Sequence, residues 1–287
     1  MAKRFSKMDK WSSEQVGRFK AAAQEKERTA RMRLTGRADR LVLETLIAEG
    51  DSWFDYLPGT DVIDCLRHNH NYIIENYSKA GDTLENMIYG TRINRRFERV
   101  SPSIEQVLRR LGELKPKVFL FSGGGNDVAG DEFESYLNHK ESGLPVLRDQ
   151  YVNDMLNQVF LKYLEDLIEK VAAVSPHTHI ITHGYGRTAP TGIGVDVLWF
   201  SFVGPWLRPA LARKGIFGTV EQRKAVFTLI DKYNAMLAVL DQKYLKFHHV
   251  DLRDMIDPDR DWVNELHLRN SGFAQVAQRI HRAIKAL

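Results

Sequence analysis

Thr45-Leu46-Ile47-Ala48-Glu49-Gly50-Asp51-Ser52 decides the architecture. A short apolar run, preceded by Leu41-Val42-Leu43, stops abruptly in a Gly-polar turn. That is the form of a strand buried on both faces, too short and too evenly apolar for an amphipathic helix. The form recurs at Tyr72-Ile73-Ile74-Glu75-Asn76-Tyr77 before Gly81, and at Val118-Phe119-Leu120-Phe121 running into Ser122-Gly123-Gly124-Gly125-Asn126. Two further runs, Thr178-His179-Ile180-Ile181-Thr182 and Phe247-His248-His249-Val250, complete a set of five predicted strands.

Helical spacing fills the intervals. Ile104, Val107, Leu108 and Leu111 follow Ser101-Pro102, which reads as an N-cap and a first-turn proline. Met155, Leu156, Val159, Phe160 and Leu164 form a second stripe, and Val226, Leu229, Ile230, Tyr233 and Leu237 a third. Phe273, Val276, Ala277, Ile280 and Ile284 form the last. Alternation of this kind predicts an α/β fold with a parallel five-stranded sheet covered on both faces. In such sheets ligands bind beyond the carboxyl ends of the strands, where the three Gly-containing turns fall.

The chain has 287 residues, 43% of them apolar and 27% charged, ordinary values for one well-filled globular core. No apolar run approaches the ~20 residues of a membrane span. The charge is unevenly distributed. Residues 1–35 hold ten Lys and Arg against four Asp and Glu, so the net charge of +4 belongs to this end. We therefore divide the chain into a basic, helical or flexible arm over 1–40 and a single α/β domain over 41–287. Charge runs of this kind are usually solvated faces, and a nucleic-acid role is disfavoured. The polar stretch after Met1-Ala2-Lys3-Arg4 is unlike a secretory signal, and Cys65 has no second cysteine to pair with, so the expected location is cytoplasmic.

Acyl transfer needs a nucleophile, a base and donors aimed at the oxygen that becomes negative. Ser52 follows a strand, with Gly50 letting the backbone turn beside it. Gly81 and Asn126 close the turns after the next two runs and supply, with the Ser52 N–H, three candidate oxyanion donors. His267, in Asp261-Trp262-Val263-Asn264-Glu265-Leu266-His267 before the last helix, is the candidate base.

In order and separation these residues resemble the sequence blocks of SGNH/GDSL hydrolases. Gly50-Asp51-Ser52 is similar to the first block, Gly81 to the second, Gly124-Gly125-Asn126-Asp127 to the third and His267 to the last. The resemblance spans about residues 44–287. It implies a three-layer α/β/α sandwich of flavodoxin type, a serine hydrolase acting on small-molecule esters, and no metal or organic cofactor. It assigns Ser52 and His267 to catalysis, and Ser52, Gly81 and Asn126 to the oxyanion hole. The family places an acid three residues before the histidine, where this chain has Asn264. Asn264 ranks first by register as the group behind His267. Glu265, Asp261 and a backbone carbonyl are the alternatives.

Other residues carry weaker signals. Gly123-Gly124-Gly125 lacks the lysine of a phosphate loop. His68-Asn69-His70 and His248-His249 lack the carboxylates of a metal site. Asp127 reads as support for its turn. His183 follows a predicted strand and is a candidate for lining the cleft. The Gly-, Pro- and aromatic-rich stretch with Trp199, Phe200, Phe202, Pro205 and Trp206 either walls the substrate site, through Trp199 and Trp206, or packs its own aromatics over the sheet. Two further functions share these features: acyl transfer to an alcohol, and a catalytically weak binding module that docks through its basic arm.

Overall fold

A computed structural model describes residues 45–56, 59–130, 132–197 and 201–287. The basic arm, the Leu41–Leu43 run and Trp199 lie outside the described residues. The first strand, β1 (Thr45–Gly50), is followed by α1 (Val62–His70), β2 (Ile73–Asn76), α2 (Leu84–Tyr89), α3 (Ser103–Leu114) and β3 (Val118–Ser122). Next come the short α4 (Gly125–Val128), then α5 (Asp149–Asp154), which continues through a π-helical turn at Met155–Phe160 into α6 (Leu161–Val174). The chain ends with β4 (His179–His183), the short strands β5 (Val195–Val197) and β6 (Ser201–Val203), α7 (Arg208–Arg213), α8 (Thr219–Lys243), β7 (Phe247–Val250) and α9 (Asn270–Ala286).

The main sheet has five parallel strands, as the sequence predicts, and their order is β2-β1-β3-β4-β7. Its side-chain period of two sorts the core into two layers. Ile47, Phe119, Ile180 and Phe247 pair in register across β1, β3, β4 and β7 and face one cluster, which includes side chains of α2, α3, α6 and α8. Ala48, Leu120 and Ile181, one position on, face the other, built on α1 and α9. Helices therefore cover both faces, giving a three-layer α/β/α sandwich.

The chain reverses its direction of travel at β1, since β2 and β3 flank it on opposite sides. The crevice at that switch point lies between the turns that carry Ser52 and Asn126. Local chemistry sets the boundaries of the elements nearby. Asp61 caps α1 by accepting from Asp64 N–H at 2.8 Å, and Thr83 caps α2 by accepting from Asn86 N–H at 3.2 Å. The start of α3 departs from the expectation. Pro102, not Ser101, occupies the N-cap position, and the first helical residue, Ser103, donates its hydroxyl to Glu49 Oε1 at 2.9 Å. Glu49 is fully buried within β1, and its burial pushes the carboxyl pKa well above the ordinary value.

Gly50 is required for a different reason from the expected tight turn. A Cβ there would come within 2.7 Å of both Cβ and O of Ser122, its register partner on β3. The glycine therefore sets how closely β1 and β3 approach. Gly50→Ala is expected to lower the unfolding free energy by about 1–3 kcal/mol, the usual range for overpacking. Denaturant unfolding of the two proteins measures it, and an unchanged midpoint would contradict the close approach.

Candidate active site

The turn after β1 is built around Asp51, whose side chain is 1% exposed. Asp51 Oδ1 accepts from Trp53 N–H at 2.9 Å and from the Ser122 hydroxyl at 2.8 Å. Oδ2 accepts from the Tyr185 hydroxyl at 2.6 Å, just after β4. One carboxylate thus ties together the ends of three strands and leaves the intervening Ser52 side chain partly exposed. Trp53, stacked on His183 and met edge-on by Tyr185, Trp262 and Phe273, donates its indole N–H to Leu266 O at 2.9 Å. That bond joins the residue after Ser52 to the residue before His267.

Ser52 and His267, 215 positions apart, meet with Oγ and Nε2 at 2.8 Å. His267 Nδ1 faces Asn264 Oδ1 at 3.1 Å. The same Oδ1 accepts from Leu266 N–H at 2.9 Å and His267 N–H at 2.8 Å, which fixes it as an acceptor. Nδ1 must then carry the proton, and the lone pair of Nε2 faces the serine hydroxyl. Tyr56 stacks on the imidazole at 4.2 Å and its hydroxyl bonds the Asn264 side chain, while Trp206 meets the ring edge-on at 5.7 Å. Burial between these rings, with no opposing charge beside it, pushes the His267 pKa down to about 4.

The other expected partners of His267 are engaged elsewhere. Glu265 is fully buried, and its carboxylate accepts four backbone N–H groups: Gly192 at 2.8 Å, Trp206 at 2.6 Å, Leu207 at 2.6 Å and Arg208 at 3.1 Å. It latches the segment before α7 to the histidine loop. Asp261 accepts from Asp257 N–H at 2.8 Å and shapes the turn that precedes the loop.

The expected oxyanion donors lie in linked turns. Gly81 has φ +77°, in the left-handed region that favours glycine, and Lys79 N–H anchors its turn to Gly50 O at 2.8 Å. Asn126 Nδ2 spends one of its two N–H groups on Asp82 O at 2.8 Å, next to Gly81. Asp127 accepts from Leu84 N–H at 2.8 Å, and so ties the Asn126 turn to the start of α2. Burial raises its pKa to about 7.

Ser52 and Asn126 both line a pocket that is partly open to solvent. Gly81 and Trp206 are not part of its wall, which takes Leu207 in place of Trp206. His183 is also outside it, contrary to the expectation. Two positions on from Ile181, it faces the α1 and α9 layer, stacks on Trp53 at 4.9 Å and bonds Gly184 O at 2.7 Å. Its neighbour Tyr185 lines the pocket instead. The stretch expected to be irregular contains the β5–β6 antiparallel pair and α7.

Sequence reasoning missed Asp51, Trp53, Tyr56 and Tyr185. Only Asp51 carried a signal, as a polar residue flanking Ser52. Among the described residues, no three His, Cys, Asp or Glu side chains gather as a metal site would require, and no helix is long and apolar enough to cross a membrane.

The sequence matches no protein-family profile and no curated protein. Solved structures do resemble it. An extracellular lipase from Streptomyces rimosus superposes with a TM-score of 0.53 at 13% identity, covering 84% of this chain and 99% of the lipase. The periplasmic domain of a lipopolysaccharide acetyltransferase from Salmonella ser. Paratyphi A gives 0.50 at 12% identity, covering 84% of each chain. At such identities the likeness speaks for architecture alone: this chain has the three-layer α/β/α fold of SGNH/GDSL-type hydrolases.

Proposed function

We propose that this protein is a serine hydrolase that cleaves carboxylic esters through an acyl-enzyme. The observation that carries the reading is the 2.8 Å contact between Ser52 Oγ and the unprotonated Nε2 of His267. Ser52 Oγ attacks the ester carbonyl carbon while its proton passes to Nε2. The carbonyl oxygen becomes an oxyanion held by the N–H groups of Ser52 and Gly81 and the free N–H of the Asn126 amide. His267 then returns the proton to the departing alkoxide as the C–O bond breaks. Water attacks the acyl-enzyme in the second half, with His267 again the base. An alcohol in place of water gives acyl transfer at the same residues.

Asn264 does one half of an acid's work. It holds the imidazole and its tautomer but places no negative charge beside the imidazolium that forms. The histidine accordingly stays a neutral base over an unusually wide pH range.

Three measurements test this reading. A fluorophosphonate is expected to label wild type and not Ser52→Ala, and His267→Ala is expected to slow labelling by roughly 10²–10⁴-fold. Failure of wild type to label would favour a binding module over an enzyme. In kcat/KM against pH, a base with its pKa at about 4 stays deprotonated far below neutrality. Activity is therefore expected to persist to about pH 5 and fall as pH drops through 4. Asn264→Asp puts a carboxylate on Nδ1–H, favours imidazolium and raises that pKa, moving the acid limb up by about 1–3 pH units. Turnover at pH 8 should rise by up to about tenfold for each pH unit the limb moves. An unmoved limb would remove Asn264 from this role. Glu265→Gln turns an N–H₂ toward backbone donors and is expected to cost on the order of 3 kcal/mol in chemical unfolding. It should lower kcat as Trp206 loses its place on His267.

A further inference from the structure

The pocket beside Ser52 is walled mainly by apolar side chains, and almost none of its polar atoms is available to an occupant. Helix α8 supplies Val226, Leu229, Ile230 and Tyr233, at spacings of three and four residues that put them on one helix face, and all four line the space. Val128, Ala129 and Phe133, from α4 onward, add a second apolar wall.

The hydroxyls within reach are committed to the protein. Tyr233 donates to Gly123 O at 2.5 Å, Tyr185 donates to Asp51 and accepts from Gly125 N–H at 3.0 Å, and Thr188 donates to Glu265 O at 2.9 Å. The Glu265 oxygens are occupied by their four backbone donors. The Trp262 indole N–H has no partner but is closed off from the space. Ser52 and Asn126 remain as the polar groups that can meet a substrate.

A sugar in this space would lose its hydration without recovering hydrogen bonds, which is unfavourable for every hydroxyl buried. The four α8 residues run from Val226 to Tyr233, about 10 Å of helix, so acetyl, with two carbons, would reach only part of this wall. An aliphatic chain has neither disadvantage. It exchanges water for apolar walls and needs polar recognition only at its carbonyl end, where Ser52 and Asn126 lie.

We propose that this pocket holds the acyl portion of the substrate and that the acyl group is an aliphatic chain several methylenes long. The substrate class is then fatty-acyl esters in preference to acetylated carbohydrates. This rests on the reading of Ser52 as the nucleophile. The chain passes from the substrate's alcohol oxygen to Ser52 Oγ with the proton transfers already described. Ile230, the half-buried one of the four α8 residues, narrows the space available to the chain.

Two experiments together separate this proposal from the hydrolase reading. In the first, p-nitrophenyl esters from acetyl to decanoyl are compared by kcat/KM. A rise of roughly fourfold per methylene over the first several carbons is expected, that being the ratio for burying one CH₂. Ile230→Trp should lower the octanoyl-to-acetyl ratio at least ~10-fold, and Ile230→Ala should extend the preference to longer chains. Misfolding cannot shift the preference in opposite directions. A flat series, or one that peaks at acetyl, overturns the proposal while leaving the esterase standing.

The second experiment titrates Ser52→Ala with octanoate and with acetate, read by tryptophan fluorescence, since Trp53 and Trp262 line the pocket. Saturable binding of octanoate alone supports the acyl site even if wild type turns over no ester, in which case the hydrolase reading fails by itself. Equal binding of the two, or none, counts against the site.

Discussion

The geometry of this site depends on one buried carboxylate. Asp51 sits where β1, β3 and the segment after β4 converge, and it collects a backbone N–H, a serine hydroxyl and a tyrosine hydroxyl from those three places. Parallel strands have no hairpins to hold their ends in register, so their carboxyl ends need cross-links of another kind. Asp51 provides one, and the residue directly after it is Ser52. The bond to Trp53 N–H turns the chain back so that the serine side chain faces the crevice. The Trp53 indole then reaches Leu266 and places the histidine loop. Ser52 and His267 are brought together across 215 residues by two hydrogen bonds to the neighbours of Ser52, which explains how a loop with little regular structure can be precise.

A second constraint follows from what is missing behind His267. Where a carboxylate stands on Nδ1, it favours imidazolium, and the histidine needs solvent or counter-charge balanced against that preference. Here the partner is an amide, and the ring lies between Tyr56 and Trp206. Burial opposes protonation, and the amide brings no negative charge to offset it, so the neutral form is favoured. In the proposed reaction the same burial penalises the imidazolium of the transition state. Orientation would then be retained and charge stabilisation given up, with the burden of catalysis shifted toward the oxyanion donors.

The fold was legible because its signals are local. A two-residue period within each strand, glycine turns at the strand ends and helical stripes between them are properties of short windows, and the five strands fall where those windows place them. Ser52, Asn264 and His267 were legible as members of an ordered set. Glu265 was not. A carboxylate one residue from the expected register looks like a substitute acid. Its actual partners, at positions 192 and 206–208, lie about 60 to 70 residues away and are backbone groups, which leave no mark in the sequence. Gly50 was read as a turn glycine because nothing local announces that Ser122 will lie 2.7 Å from where a Cβ would stand. His183 shows a failure that could have been avoided. Counting by two from Ile181 places it on the α1 and α9 face and leaves the next odd position, Tyr185, as a residue of the following turn.

Helix α8 shows the limit of reading function from apolar pattern. Its stripe of Val226, Leu229, Ile230, Tyr233 and Leu237 is what any core-facing helix presents, and most of it is core: Leu237 is fully buried with Leu240 beneath the sheet layer. Four of the same residues also bound the pocket. Filling a core and lining a dry pocket require the same side chains, because both demand apolar surface with no polar atom left unpaired. The difference is whether the opposite wall closes the space. Here the opposite wall is the Asn126 turn and Phe133, and the pocket's two tyrosines, Tyr233 of α8 and Tyr185 after β4, spend their hydroxyls on Gly123 O and Asp51. The Asp51 network that fixes Ser52 thereby also consumes the Tyr185 hydroxyl, so the positioning of Ser52 and the apolar character of the adjoining space share a structural cause.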